Sequence, residues 1–227
     1  RGTGIAGYKF DAGEANFLPA GALPREAIAS SAYSHLWAHL AARHFPYGEV
    51  RCGWHNQRDA MLVRQWDKFS TWGEDNGLAS VISGALALGL TGYPFVLPDM
   101  VGGNAYGNSV SAELMIRWTQ ACAPMLAVQF SIPPWSLGEE ADAICREYAN
   151  LHVELAPQRL AAARQAALDG TPPLKPMAWI AGADADALAI ADQYLLGNDT
   201  LVAPVLKEGG RSRDIWLPPG QWRERKT

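Results

Sequence analysis

The sequence predicts an α/β fold made of βα units on a parallel sheet, followed by the start of an all-β segment. Three observations predict it. Short apolar runs alternate with longer stretches of helical periodicity. Five of those runs carry polar or charged residues at or near their C-terminal ends. After Gly170 the pattern breaks at Pro172, Pro173 and Pro176 and turns β-like. In order, the strand candidates are Gly7 to Asp11, Glu49 to Trp54, Met61 to Asp67, Tyr93 to Asp99 and Leu126 to Ser131. Helical patterns cover residues 26–44, 77–90, 111–123 and 139–168, while the connection between the second and third strands has no evident helix. Beyond Gly170, β-like runs at 193–206 and 214–217 flank the turn-rich Glu208-Gly209-Gly210. The expected division is therefore residues 1–170 and 171–227.

In a parallel α/β sheet all strands point the same way, so their polar C-terminal ends meet at one edge. That edge carries the chemistry in (β/α) barrels. Asp11, Arg51, Asp67 and Asp99 are thereby expected together. Five strands are too few for a closed eight-stranded barrel, which takes about 250 residues. Either the sheet is open or its first strands lie outside this chain.

Composition narrows the function. With 48% hydrophobic residues the 227-residue chain can bury a real core, and its net charge of -4 without a basic run argues against nucleic acid and anionic membranes as partners. Nine Trp and seven Tyr suit a surface that grips an amphipathic ligand such as a sugar, although most of them belong in the core. Cys52, Cys122 and Cys145 are odd in number and widely spaced, so neither a disulfide framework nor a zinc knuckle is readable. His35 and His39 stand four apart, but Leu36 occupies the place where a metalloprotease helix has Glu, which leaves them as surface or packing residues. No metal or cofactor is implied. Asn198-Asp199-Thr200 is a formal glycosylation sequon within LLGNDTLVAPV, a run that reads as buried strand. Arg1 opens the chain without a signal-like apolar region, which reads as a cut in a longer protein, and membrane association is not legible from this segment.

Several ordered motifs then carry a resemblance. Tyr8-Lys9-Phe10-Asp11-Ala12-Gly13-Glu14, Trp66-Asp67-Lys68-Phe69-Ser70-Thr71-Trp72 and Gly92 to Gly103, with its Pro98-Asp99-Met100-Val101-Gly102-Gly103 ending, resemble glycoside hydrolase family 31. Arg117-Trp118, Gln129 to Trp135, Leu201 to Val205 and Leu217-Pro218-Pro219-Gly220-Gln221-Trp222 extend the resemblance along nearly the whole chain. It implies the C-terminal half of a TIM barrel, about strands 4 to 8, followed by the opening of a C-terminal β-sandwich domain. It implies no cofactor, a glycoside or oligosaccharide substrate, and a secretory-lumen or extracellular setting; self-association is left open.

The resemblance assigns roles by position. Asp11 falls on the family's nucleophile and Asp67 on its acid/base, the two carboxyls that a retaining glycosidase holds about 5–5.5 Å apart. Glu14 is expected to orient neighbours or bond the sugar. Arg51 and Asp99 are expected to bond sugar hydroxyls, and Trp54, Trp66, Trp72 and Tyr106 are candidates for stacking on its apolar face. Beside an ionised Asp11 the Asp67 pKa should rise, provided that Arg64 and Lys68 point away from it, as strand alternation suggests. The usual Gly-Asp-Asn of the family stands here as Trp66-Asp67-Lys68, and its Arg-Asn-His ending of the last strand as Gln129-Phe130-Ser131. The second departure removes a histidine that bonds glucosides and tilts the expected substrate from α-glucosides towards α-galactosides, the class that the resembling branch of the family implies; an α-glucosidase or α-xylosidase of the same family is the alternative. A non-catalytic sugar-binding protein and a metal-dependent hydrolase using the same acids remain as alternatives.

Overall fold

The computed structural model describes residues 4–22, 25, 29–106 and 109–225. Four short strands, β1 (Lys9–Phe10), β2 (Glu49–Val50), β3 (Leu62–Arg64) and β4 (Val96–Leu97), form a parallel sheet in sequential order. A second parallel pair joins β5 (Met100–Val101) to β6 (Gln129–Phe130). Helices α1 (Ser30–His44), α2 (Leu78–Leu90) and α3 (Ala112–Cys122) fill the crossovers after β1, β3 and β5. This is the predicted βα alternation, including the helix-free connection between β2 and β3. The expected start of the first helix at residues 26–28 lies outside the described residues.

Register sorts the side chains. Phe10, Val50, Val63 and Val96 lie in one cross-strand row. Val50 and Val96 are buried, and Phe10 and Val63 pack with Val50, Met61, Ala38 and Ala41 against α1. Successive residues on a strand face opposite sides, so the next row, Asp11, Arg51 and Arg64, faces away from the helices. The larger core lies between α2, α3 and the sheet, with Leu78, Ile82, Met115 and Trp118 fully buried. Each such side chain contributes about 1.5–3 kcal/mol relative to exposure. The Ser111 hydroxyl caps α3 by accepting from the Leu114 N–H, a device that satisfies one of the donors a helix start leaves open.

Four elements depart from expectation. The strand foreseen over Tyr93 to Asp99 is shortened to β4, and β5 begins only beyond Asp99, which sits at φ +60° in the left-handed region and turns the chain out of the ladder. The single helix foreseen over 139–168 is two, α4 (Glu139–Glu154) and α5 (Ala156–Asp169), hinged at Leu155. Pro157 is the cause: proline supplies no N–H and is tolerated only in a first helical turn. Behind α5, β7 (Leu174–Pro176) was not foreseen among the prolines; it pairs antiparallel with β8 (Tyr194–Leu196), which pairs in turn with β9 (Thr200–Val202). The sequon therefore spans the turn between β8 and β9, with Asn198 exposed in the turn and Thr200 opening β9, and is not in a buried strand. Finally, residues 214–217 form no strand, since the Gln193 side-chain amide takes both backbone groups of Trp216. Short helices α6 (Met177–Ile180) and α7 (Ala185–Leu188) complete this part. Among the described residues no helix is long and apolar enough to cross a membrane.

Candidate active site

The parallel strands deliver their C-terminal ends to one place. Asp11 follows β1, Arg51 follows β2, Arg64 ends β3 with Asp67 three residues beyond it, and Asp99 follows β4. Arg51 Nη1 lies 3.2 Å from Asp11 Oδ1 and 3.2 Å from Asp67 Oδ1, while its Nε lies 2.8 Å from Glu14 Oε1. Four of the predicted site residues are thus joined through one guanidinium. Arg51 donates through Nη1 to both oxygens of Asp67 and forms ion pairs with Asp11 and Glu14.

Arg64 makes a second and denser junction. Its Nη1 donates to Asp99 Oδ1 at 2.6 Å and Asp67 Oδ1 at 3.0 Å, and its Nη2 to Asp11 Oδ1 at 3.0 Å. Its Nε lies 3.4 Å from Glu49 Oε1. The Arg64 side chain is only 3% exposed. The expectation that it would point away from Asp67 is wrong, because β3 stops at Arg64 and the chain then bends, so alternation cannot be counted through to Asp67. Lys68 does point away. Its Nζ donates to Ser80 Oγ on α2 and lies 3.8 Å from the centre of the Trp66 ring.

The electrostatics follow. Partial burial pushes the Asp67 carboxyl up, but the Tyr106 hydroxyl, donated to Oδ2 at 2.8 Å, outweighs it together with Arg64 and Arg51. The group ends below the ordinary carboxylate value, opposite to the rise expected from Asp11 alone. The Tyr106 hydrogen bond and the two guanidinium groups together reverse the sign, since a donor and a nearby opposite charge both favour the ionised form. Glu49 moves the other way, raised chiefly by burial.

Asp99 is fully buried, and its carboxylate is used within the protein. It accepts from Arg64, from the Lys68 N–H at 2.9 Å and from Asn104 Nδ2 at 2.7 Å. The structure brings Asp99 to the junction but leaves it beneath the surface a sugar would touch. Trp72 is half-buried against the main core. Trp54 is 52% exposed and stacks on His55 at 4.8 Å. Trp66 is also exposed, with its indole N–H fixed by Asn76 Oδ1. A cleft of about 340 Å³ beside this cluster is lined by Glu14, Arg51, Arg64 and Trp66, but neither Asp11 nor Asp67 lines it. Cys52 lines it too, but burial drives its thiol up to about 11, which leaves no thiolate at neutral pH.

Comparison with known proteins places this geometry. Residues 3–160 match the glycosyl hydrolases family 31 TIM-barrel domain, and residues 170–227 the family 31 C-terminal domain. The chain belongs to glycoside hydrolase family 31. It is 40% identical to the mouse myogenesis-regulating glycosidase over 98% of this chain and 32% of that protein. It is 30% identical to a sulfoquinovosidase of Agrobacterium fabrum over 96% of this chain and 36% of that one. A solved family 31 sulfoquinovosidase from E. rectale, bound to an aza-sugar inhibitor, shares the fold with a TM-score of 0.81 at 24% identity, covering 95% of this chain and 35% of that one. The chain thus spans about a third of the length of these relatives. Its fold is part of the family 31 barrel with the following C-terminal domain.

Arg64 and Glu49 escaped sequence reasoning, and Tyr106 was considered only as a stacking ring. The signal for Arg64 was available in the register: once Phe10, Val50 and Val63 share a row, Arg64 must stand beside Asp11 and Arg51. Tyr106 lies in a loop after β5, where no periodicity points the way.

Proposed function

We propose that this chain carries the reacting pair of a retaining α-glycosidase, with Asp11 as nucleophile and Asp67 as general acid/base. One observation carries the reading. Arg51 Nη1 is 3.2 Å from an oxygen of each acid, so those oxygens cannot lie farther apart than twice that distance. A retaining pair, whose carboxyls stand about 5–5.5 Å apart, fits within that span. Asp11 attacks the anomeric carbon as Asp67 passes a proton to the departing glycosidic oxygen. Water, deprotonated by Asp67, then releases the sugar with its anomeric configuration kept.

Both acids are bound to guanidinium groups, so the acid step requires Asp67 to take up a proton before it can pass one on. A sugar that displaces the Tyr106 hydroxyl or the Arg51 contact removes part of what holds the carboxyl ionised. Trp66 and Trp54 present exposed rings for the apolar face of the glycoside.

Terminal α-galactosides are the favoured substrate class. The strand end that carries Arg-Asn-His in many α-glucosidases of the family is Gln129-Phe130-Ser131 here, and the Ser131 hydroxyl is spent on the Val101 carbonyl at 2.8 Å. No imidazole reaches a sugar hydroxyl from that position. The test is turnover of nitrophenyl α-galactoside, α-glucoside and α-xyloside by the full-length protein, with the first-formed anomer followed by proton NMR. Asp11→Asn should lower kcat by a factor of at least about 1,000. Activity that survives this change, or an inverted first product, refutes the assignment.

A further inference from the structure

We propose that Arg64 is the positioning residue of the reaction: one buried guanidinium that fixes Asp11 and Asp67 relative to each other and anchors both to the scaffold through Asp99. The inference rests on the reading of Asp11 and Asp67 as the reacting pair.

The geometry is specific to a planar fork. Nη1 is shared between Asp67 Oδ1 and Asp99 Oδ1, and Nη2 reaches Asp11 Oδ1. These three carboxylates come from three different connections, after β1, β3 and β4. Arg51 also touches both reacting acids, but it is more exposed than Arg64, with 12% against 3% of the side chain accessible, and its remaining ion pair is to Glu14 rather than to the wall. Among the described residues Arg64 alone connects the pair to a carboxylate with no exposure at all. Asp99 in turn is locked by the Lys68 N–H and by Asn104. A guanidinium is the side chain for this task, because its donors lie in one plane at fixed spacing, whereas an ammonium is a single point on a flexible stem.

The charged and titratable groups facing this centre are few. Glu14 comes from the segment after β1 and Arg51 from the one after β2. Glu49 lies on β2 and is 3.9 Å from Lys9 of β1. Tyr106 arrives from the loop after β5. Lys68 is turned to Ser80. Removing the Arg64 cation from this set leaves Arg51 as the one guanidinium bonded to Asp67 among the described residues, so the proton on Asp67 is held more tightly.

Arg64→Met and Arg64→Lys in the full-length protein separate positioning from bulk. In kcat/KM the alkaline limb reports the protonated acid of the free enzyme. With Arg64→Met that limb should move up by about one pH unit or more, the scale on which a close opposite charge acts. Arg64→Lys keeps the charge, so the limb should stay within about half a unit of wild type while kcat falls at least tenfold at nearly unchanged KM. A folded, active Arg64→Met with an unmoved limb overturns the proposal. So does Arg64→Lys with wild-type kcat, which decides the matter if Arg64→Met fails to fold.

A stability cycle keeps the two levels apart. Urea denaturation of Asp67→Asn, alone and combined with Arg64→Lys, reads the coupling between the two residues without any turnover. Non-additive losses support Arg64 as the anchor, and strictly additive ones overturn it. If the wild-type protein cleaves no α-glycoside, the assignment of the reacting pair falls, and this cycle still decides whether Arg64 holds the acids.

Discussion

Asp99→Asn tests whether the buried carboxylate beneath the site is scaffold or sugar ligand. The substitution keeps shape and removes one charge. Asp99 has no solvent exposure and accepts three bonds, from Arg64 at 2.6 Å, from the Lys68 N–H at 2.9 Å and from Asn104 at 2.7 Å. An amide offers one oxygen and one NH₂. If its oxygen faces Arg64, its NH₂ meets the Lys68 N–H and Asn104 donors; reversed, the NH₂ meets the guanidinium. Either way a buried donor is left against a donor. Breaking a buried ion pair on one side costs about 3–5 kcal/mol. Asp11 and Asp67 still face Arg64, which places the expected loss near the lower end, about 3 kcal/mol. Urea denaturation of the full-length protein, followed by tryptophan fluorescence, should show this loss, and kcat should fall with it as Arg64 loses its anchor. A variant within about 1 kcal/mol of wild type, impaired only in KM, would refute the reasoning and return Asp99 to the role of a sugar-hydroxyl acceptor.

Two further outcomes are expected. Gly103 has φ +74°, and a methyl group there would lie 2.7 Å from the Phe69 backbone carbon; Gly103→Ala should therefore destabilise by about 2–4 kcal/mol in the same denaturation experiment, from left-handed strain plus a backbone shift. Lys68, held down to about 8 by burial, gives a pH signature. Between about 8 and the ordinary 10.5 the unfolded chain keeps a proton that the folded chain has lost, so raising the pH favours folding. Relative to Lys68→Met, the wild type should gain on the order of 3 kcal/mol between pH 7.5 and 10.5. Ser80 stays satisfied in that variant by donating to the Gly77 carbonyl. A pH-independent difference between the two proteins would exclude a buried, depressed Lys68.

Much of the architecture was legible because it rests on local rules. Apolar runs that carry Asp11, Arg51, Asp67 and Asp99 at or near their C-terminal ends give strand polarity, and polarity brings those residues together without any knowledge of packing. The helices over Leu78–Leu90 and Ala112–Cys122 fall within a residue of their periodic patterns. Where local rules compete, legibility fails. Pro157 splits one apparent helix into two, and the Gln193 amide captures the Trp216 backbone that would otherwise look like strand. β7 is invisible in sequence because its partner is the distant β8.

The opposite holds for charge. The sequence by itself determined which acidic residues arrive at the site, since position along a parallel strand fixes the end at which a residue emerges. Only the tertiary structure decided what they meet there. Whether Asp67 is raised by Asp11 or lowered by Arg51, Arg64 and Tyr106 depends on distances of 2.8–3.2 Å between groups up to 39 residues apart in the chain. Coulomb energy varies with separation and with burial, and neither is written in the order of residues. The end of β3 at Arg64 is the clearest case: register sets Arg64 beside Asp11 and Arg51, and the strand stopping three residues early lets the chain bring Asp67 onto the same guanidinium.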